Sequence, residues 1–170
     1  MSEYESVKKV SLVCAKGGLE EVYPSLIMAN GARMEGIEAS IFFTFFGLNA
    51  IIMKTHKNLK VATVGNAALN MAMPMLKMPI TMPFPTLLGA MPGVSSFATW
   101  LMKKEMENLD VPPVGEFLEM CDDAGVELYA CKMTVDMFKL TMDDFVPQVK
   151  GIMTVGEFYE KSAGAQIIFT

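Results

Sequence analysis

What this chain lacks narrows its chemistry first. It has three cysteines, an odd number, so a disulfide framework is not its scaffold. Reduced thiols fit a cytoplasmic setting. Its single histidine, His56, stands among Lys54, Thr55, Lys57 and Asn58 and reads as a solvated loop residue, with no second histidine to form a dyad. No HExxH, GxSxG or CxxC occurs, which removes the usual support for metalloprotease, serine-hydrolase and thioredoxin-type chemistry. No block of Lys and Arg is present and the net charge is -5, so nucleic acid is not an expected partner. The opening MSEYESVKKV lacks the apolar core of a signal peptide, which again favours the cytoplasm.

Long unbroken apolar runs are missing too. The stretch 37–53 is interrupted by Glu38, Ser40, Thr44 and Asn49, and is shorter than the roughly 20 residues a spanning helix needs. The stretch 84–102 carries no charge but is broken by Pro85, Gly89, Pro92 and Gly93. Burial in a core or against another subunit is expected, and membrane association is not.

What is present points to a folded protein. With 170 residues, 52% of them hydrophobic, the chain can bury a proper core as a single domain over 1–170. Its 17 methionines supply flexible thioethers suited to adaptable interfaces. Five prolines in 66–93 forbid a long regular element there, so this stretch reads as an ordered, apolar Met/Pro-rich insertion. Its methionines include soft Cu(I)-type ligands, but no His or Cys in the run completes a metal site.

Along the chain, Lys9 to Cys14 reads as a first strand, continuous enough in apolar residues to be covered on both faces. A helix follows from Leu19 to Met34, then an Ile/Phe-rich second strand in GIEASIFFTFF. The strand–helix–strand order implies a parallel pair. A weaker third strand is expected at Leu59 to Val64, and a helix capped by Ser95 or Ser96 runs to about Leu109. Val114, Phe117, Leu118 and Cys121 form one buried helical stripe, ended by Gly125. Val126 to Cys131 is the fourth strand, followed by short helices at Thr134–Leu140, which Thr134 could cap, and at Thr141–Val146. Thr154 and Glu157 form a capping box for a last helix, and QIIFT is a final strand. The expected fold is a three-layer α/β/α sandwich around a mostly parallel five-stranded sheet. AKGGLEE has the wrong spacing for a phosphate loop and reads as a turn.

The cysteines carry the chemistry. Ligands of open α/β sheets bind at the carboxyl ends of the strands, and Cys131 ends one. A helix starting near Thr134 would present free N–H groups and its positive dipole end to a thiolate, and Lys132 could add charge. A thiol that ionises readily can attack sulfur and hold a persulfide. The alternative is an inert buried cysteine. Cys14 ends the first strand on the same edge and is a candidate second thiol. Cys121 lies on its helix's apolar stripe and reads as core; the expected layer geometry disfavours its pairing with Cys131.

Three stretches in order, FFTFFGLN (42–49), LLGAMPG (87–93) and ACKMTVDMF (130–138), resemble the DsrE/DsrF-like family, and the resemblance runs along nearly the whole chain. It implies a DsrE-like sandwich, homo-oligomers, and sulfur-carrier or sulfurtransferase work; no cofactor or metal is expected. It also implies that Cys131 holds the sulfur, with TusA-like carriers or rhodaneses as partners. The FFTFFGLN loop and the insertion would then shelter the bound sulfur. A non-enzymatic scaffold that docks a partner or apolar ligand through the insertion is the other reading.

Overall fold

A computed structural model describes residues 7–62 and 93–170. Two compact units emerge, Lys60–Val111 as one and Met1–Leu59 with Pro112–Thr170 as the other. The larger unit holds five strands: β1 (Lys9–Cys14), β2 (Glu38–Phe43), β3 (Glu127–Cys131), β4 (Val149–Met153) and β5 (Gln166–Phe169). Every pairing is parallel and the order is β4-β3-β2-β1-β5.

That order dictates the layers. β1 to β4 step in one direction, so right-handed crossovers place their helices on one face. These are α1 (Leu19–Met34) and α3 (Val114–Asp123). The return from β4 to β5 runs the other way and carries α5 (Val155–Lys161) across the opposite face, where Phe158 stacks on Phe42 at 4.8 Å between ring centroids. The result is the three-layer α/β/α sandwich expected from the sequence, with an all-parallel sheet.

Register sorts the side chains. Leu12, Ile41 and Leu128 stand side by side, fully buried, as do Cys14, Phe43 and Ala130. They face α1 and α3, whose Val22, Leu26 and Leu118 are equally sealed. Val13, Phe42, Cys131 and Met153 form a smaller cluster with Phe158 on the other face. Because side chains alternate along a strand, one residue of offset decides which layer a cysteine enters.

The strand roster differs from expectation in one place. Leu59 to Ala62 form no strand, and the remainder of that segment lies outside the described residues. The strand that completes the five is instead β4, Val149–Met153, and the helix expected at Thr141–Val146 is one 3₁₀ turn, Met142–Asp144. Asp144 binds back to Thr141, and Pro147 biases Val146 towards extended backbone, so the turn opens into a strand. In the smaller unit, α2 (Val94–Asn108) begins after Gly93, with φ +92; Ser95 does not cap it but donates to the Val61 carbonyl. The Met/Pro-rich insertion lies outside the described residues, apart from Gly93.

Candidate functional site

β3 turns into α4 (Lys132–Met137) without a connecting residue, and Cys131 is itself the N-cap, at φ -71° and ψ 118°. The helix therefore starts two residues earlier than the sequence suggested. Thr134 becomes an interior first-turn residue, fully buried, rather than the cap. Its hydroxyl accepts the backbone N–H of Phe45 at 3.1 Å and lies 3.3 Å from the hydroxyl of Thr44.

Thr44 follows β2 and is the cross-strand neighbour of Cys131, one step beyond the Phe43–Ala130 pair. It is held there by its own N–H, which donates to the Cys14 carbonyl at 3.0 Å. The turn that follows, Phe45–Ala50, is sewn to β1 by Gly47, whose N–H donates to Ala15. Phe45 takes φ +45, a backbone region unusual for a phenylalanine, and this aims its N–H at Thr134.

Cys131 has 2% of its surface exposed, yet it lies under a thinner cover of atoms than the other two thiols. Burial pushes its pKa up. The Thr44 hydroxyl, the Thr134 N–H and hydroxyl, and the Met133 N–H push it down and prevail. The neutral thiol makes no capping hydrogen bond; these donors serve the anion. The net effect is a thiol that ionises more readily than an ordinary cysteine, at the end of a strand and the amino end of a helix. Lys132 contributes nothing to this. Its ammonium turns outward to Asp136, 2.6 Å from Oδ2.

The other two cysteines are built differently. Cys14 shares the carboxyl edge of the sheet with Cys131, but β2 intervenes and the two side chains enter opposite faces. Two strand spacings separate them by roughly 10 Å, beyond the reach of a disulfide. Burial raises the pKa of Cys14, with partial relief from Ser25 and Thr170. Cys121 is buried between α3 and α1, where its thiol donates to the Leu26 carbonyl at 3.6 Å, and burial pushes its pKa up to about 12. All three are free.

Cys121 carries a stability signature. Well below pH 9 its thiol is neutral in folded and unfolded chains alike. Between 9 and about 12 the unfolded thiol ionises while the folded one stays protonated, so stability falls as pH rises through that window. Urea unfolding across this range should show wild type losing more stability than Cys121→Ala; parallel curves would refute it.

Other expectations resolve simply. The turn before α1 offers its Gly18 N–H to the chain's own Glu21 carboxylate at 3.1 Å, which leaves that helix start capped from within. His56 is half-buried, its Nδ1 3.1 Å from the Ile52 carbonyl, rather than fully solvated. Among the described residues no group of three or more His, Cys, Asp or Glu is arranged to hold a metal, and no helix is long and apolar enough to cross a membrane. Sequence reasoning missed Thr44. Its only signal was a lone hydroxyl between two Phe pairs at the end of an apolar strand.

Fold and site together define an all-parallel α/β protein that presents an acidified cysteine at a strand–helix junction. The model of the DsrE/DsrF/DrsH-like family matches residues 6–169, and the chain belongs to that family. It is 37% identical over 143 residues to "Sulfur carrier protein DsrE2" of Allochromatium vinosum, covering 84% of this chain and 86% of that one. It is 26% identical over 151 residues to "Uncharacterized protein YrkE" of Bacillus subtilis, covering 85% and 86%. Among solved structures, the protein of unknown function MTH1491 from Methanobacterium thermoautotrophicum superimposes with a TM-score of 0.50 at 11% identity, over 95% of this chain and 98% of that one. This last likeness concerns the fold alone.

Proposed function

We propose that the protein is a sulfur carrier that holds sulfane sulfur on Cys131 and passes it to a partner thiol. The observation that carries the reading is the placement of Cys131 at the sheet's carboxyl edge and the amino end of α4, beside the paired Thr44 and Thr134 hydroxyls, in a setting that lowers its pKa. The similarity to DsrE2 of Allochromatium vinosum supports it.

In the loading step the Cys131 thiolate attacks the outer sulfur of a donor persulfide. A Cys131 S–S bond forms, the donor's S–S bond breaks, and the electron pair leaves on the donor thiolate. With tetrathionate the same attack leaves a thiosulfonate on Cys131 and expels thiosulfate. In the delivery step a partner thiolate attacks the outer sulfur, and Cys131 is released as the thiolate that its donors favour. Both steps are thiol–disulfide exchanges with no net oxidation, so no cofactor is required.

Delivery calls for protein contact. The surface beside the site carries exposed Phe46 and Phe138, rings 6.5 Å apart, and α4 exposes Met133 and Met137. Adaptable thioethers and phenyl rings suit a protein partner, here a TusA-like carrier or a rhodanese. Apolar side chains on α5 and the β5 edge, Tyr159, Ile167 and Phe169, are also exposed and suit contact with a second copy in a homo-oligomer.

Incubation of the full chain with polysulfide, thiosulfate or tetrathionate, followed by intact-mass and peptide mapping, tests the proposal. A reductant-sensitive adduct on the Cys131 peptide is expected. A protein that takes no adduct from any of the three is not a sulfur carrier.

A further inference from the structure

We infer that Thr44 is a positioning residue for Cys131, the last link of a hydrogen-bond relay that begins at the Phe45 amide and ends on the sulfur. The inference rests on the sulfur-carrier reading for its consequence, and on geometry for its substance.

Donors and acceptors can be counted. Thr134 Oγ1 accepts the Phe45 N–H at 3.1 Å, so one of its lone pairs is spent and its own proton is free to be given. The Thr44 and Thr134 oxygens, 3.3 Å apart, share one proton between them. Two hydroxyls with one mutual bond leave one proton for the sulfur. Thr134 is already polarised by the amide, which makes it the better donor of the pair. The order that results is Phe45 N–H to Thr134, Thr134 to Thr44, and Thr44 to Cys131. Each bond strengthens the next, because a hydroxyl that accepts donates more strongly. The sheet places Thr44 beside Cys131 on the same face, about one strand spacing of 4.8 Å away. Thr44 is also the largest of the four contributions that favour the anion.

No described charge competes for this role. Lys132 and Asp136, on the sulfur's own helix, are paired with each other. β4 and α5 bring Met153 and Phe158 against Cys131, and Glu157 of α5 is committed to Thr154. Neutral hydroxyls therefore set the state of the thiol. They suit a carrier, since they stabilise the thiolate as leaving group when sulfur is handed on without binding it so strongly that attack is suppressed.

The test is the titration of Cys131 followed by iodoacetamide alkylation across pH, with the peptide carrying residue 131 quantified separately from those of Cys14 and Cys121. Thr44→Val and Thr44→Ala should raise the midpoint by about one pH unit, a tenfold loss of thiolate below it. Thr44→Ser, which restores the hydroxyl, should stay near wild type. A packing role would not separate Ser from Val in the midpoint. Should Thr44→Val fail to fold, the Ala and Ser variants, both smaller than Thr, decide the matter. A wild-type midpoint in the variants without a hydroxyl, or a Ser variant shifted as far as Ala, overturns the inference. Sulfur loading that proceeds on Cys131 with such an unshifted midpoint overturns it alone. Absent loading in wild type overturns the carrier reading and leaves the titration to stand by itself.

Discussion

Cys131→Ser protein should take up no sulfane sulfur, whereas Cys14→Ser and Cys121→Ser should load like wild type. The expected loss is more than ~100-fold in adduct formation, because a serine hydroxyl is not ionised near neutral pH and cannot attack sulfur as a thiolate does. The remaining cysteines cannot substitute. Both have a pKa raised above 9.0 by burial, which leaves less than about 1% thiolate near pH 7. Cys14 also points into the opposite layer, and Cys121 is locked between two helices. Peptide mapping after polysulfide treatment measures the result directly. Adducts on Cys14 in the Cys131→Ser protein, or undiminished total loading, would refute the assignment of the carrier thiol.

Gly47→Ala should be the most damaging small substitution outside the thiol. A Cβ at residue 47 would overlap the Cys14 carbonyl oxygen and press on the carbonyl carbon behind it. Both are backbone atoms, and the same carbonyl already accepts the Thr44 N–H, so neither partner can turn aside. Relief requires the 45–50 turn to lift from the end of β1. That costs about 3 kcal/mol or more, or roughly 6–12 °C in melting temperature for a chain of this size. The turn carries the Phe45 amide that anchors Thr134, so sulfur loading should slow as well. Thermal unfolding followed by circular dichroism checks the first effect and the loading assay the second. A melting temperature within about 1 °C of wild type would show that the turn tolerates the methyl group.

These expectations show what could be read from the chain and what could not. β1, β2, α3 and β3 were legible because each is an apolar run or stripe bounded by turn residues, such as Gly125 after α3. β4 was not. VKGIM has a lysine and a glycine inside it and lacks the β-branched density of a central strand. It is an edge strand, paired on one side only, with β3, the strand before it in the chain. The start of α4 was also misplaced, since Thr134 is a good cap by composition and Cys131 is a poor one. Its hydroxyl is used elsewhere, by an amide 89 residues distant.

From sequence alone came the architecture, the family resemblance and the choice of Cys131 as the sulfur to watch, because local periodicity and a strand end are written in consecutive residues. The opposite facing of Cys14 and Cys131, the outward turn of Lys132 and the arrival of Thr44 beside the thiol were decided only by tertiary structure. Strand order and register bring together residues that chain proximity does not, and a hydroxyl's partner is set by whichever amide the fold delivers to it.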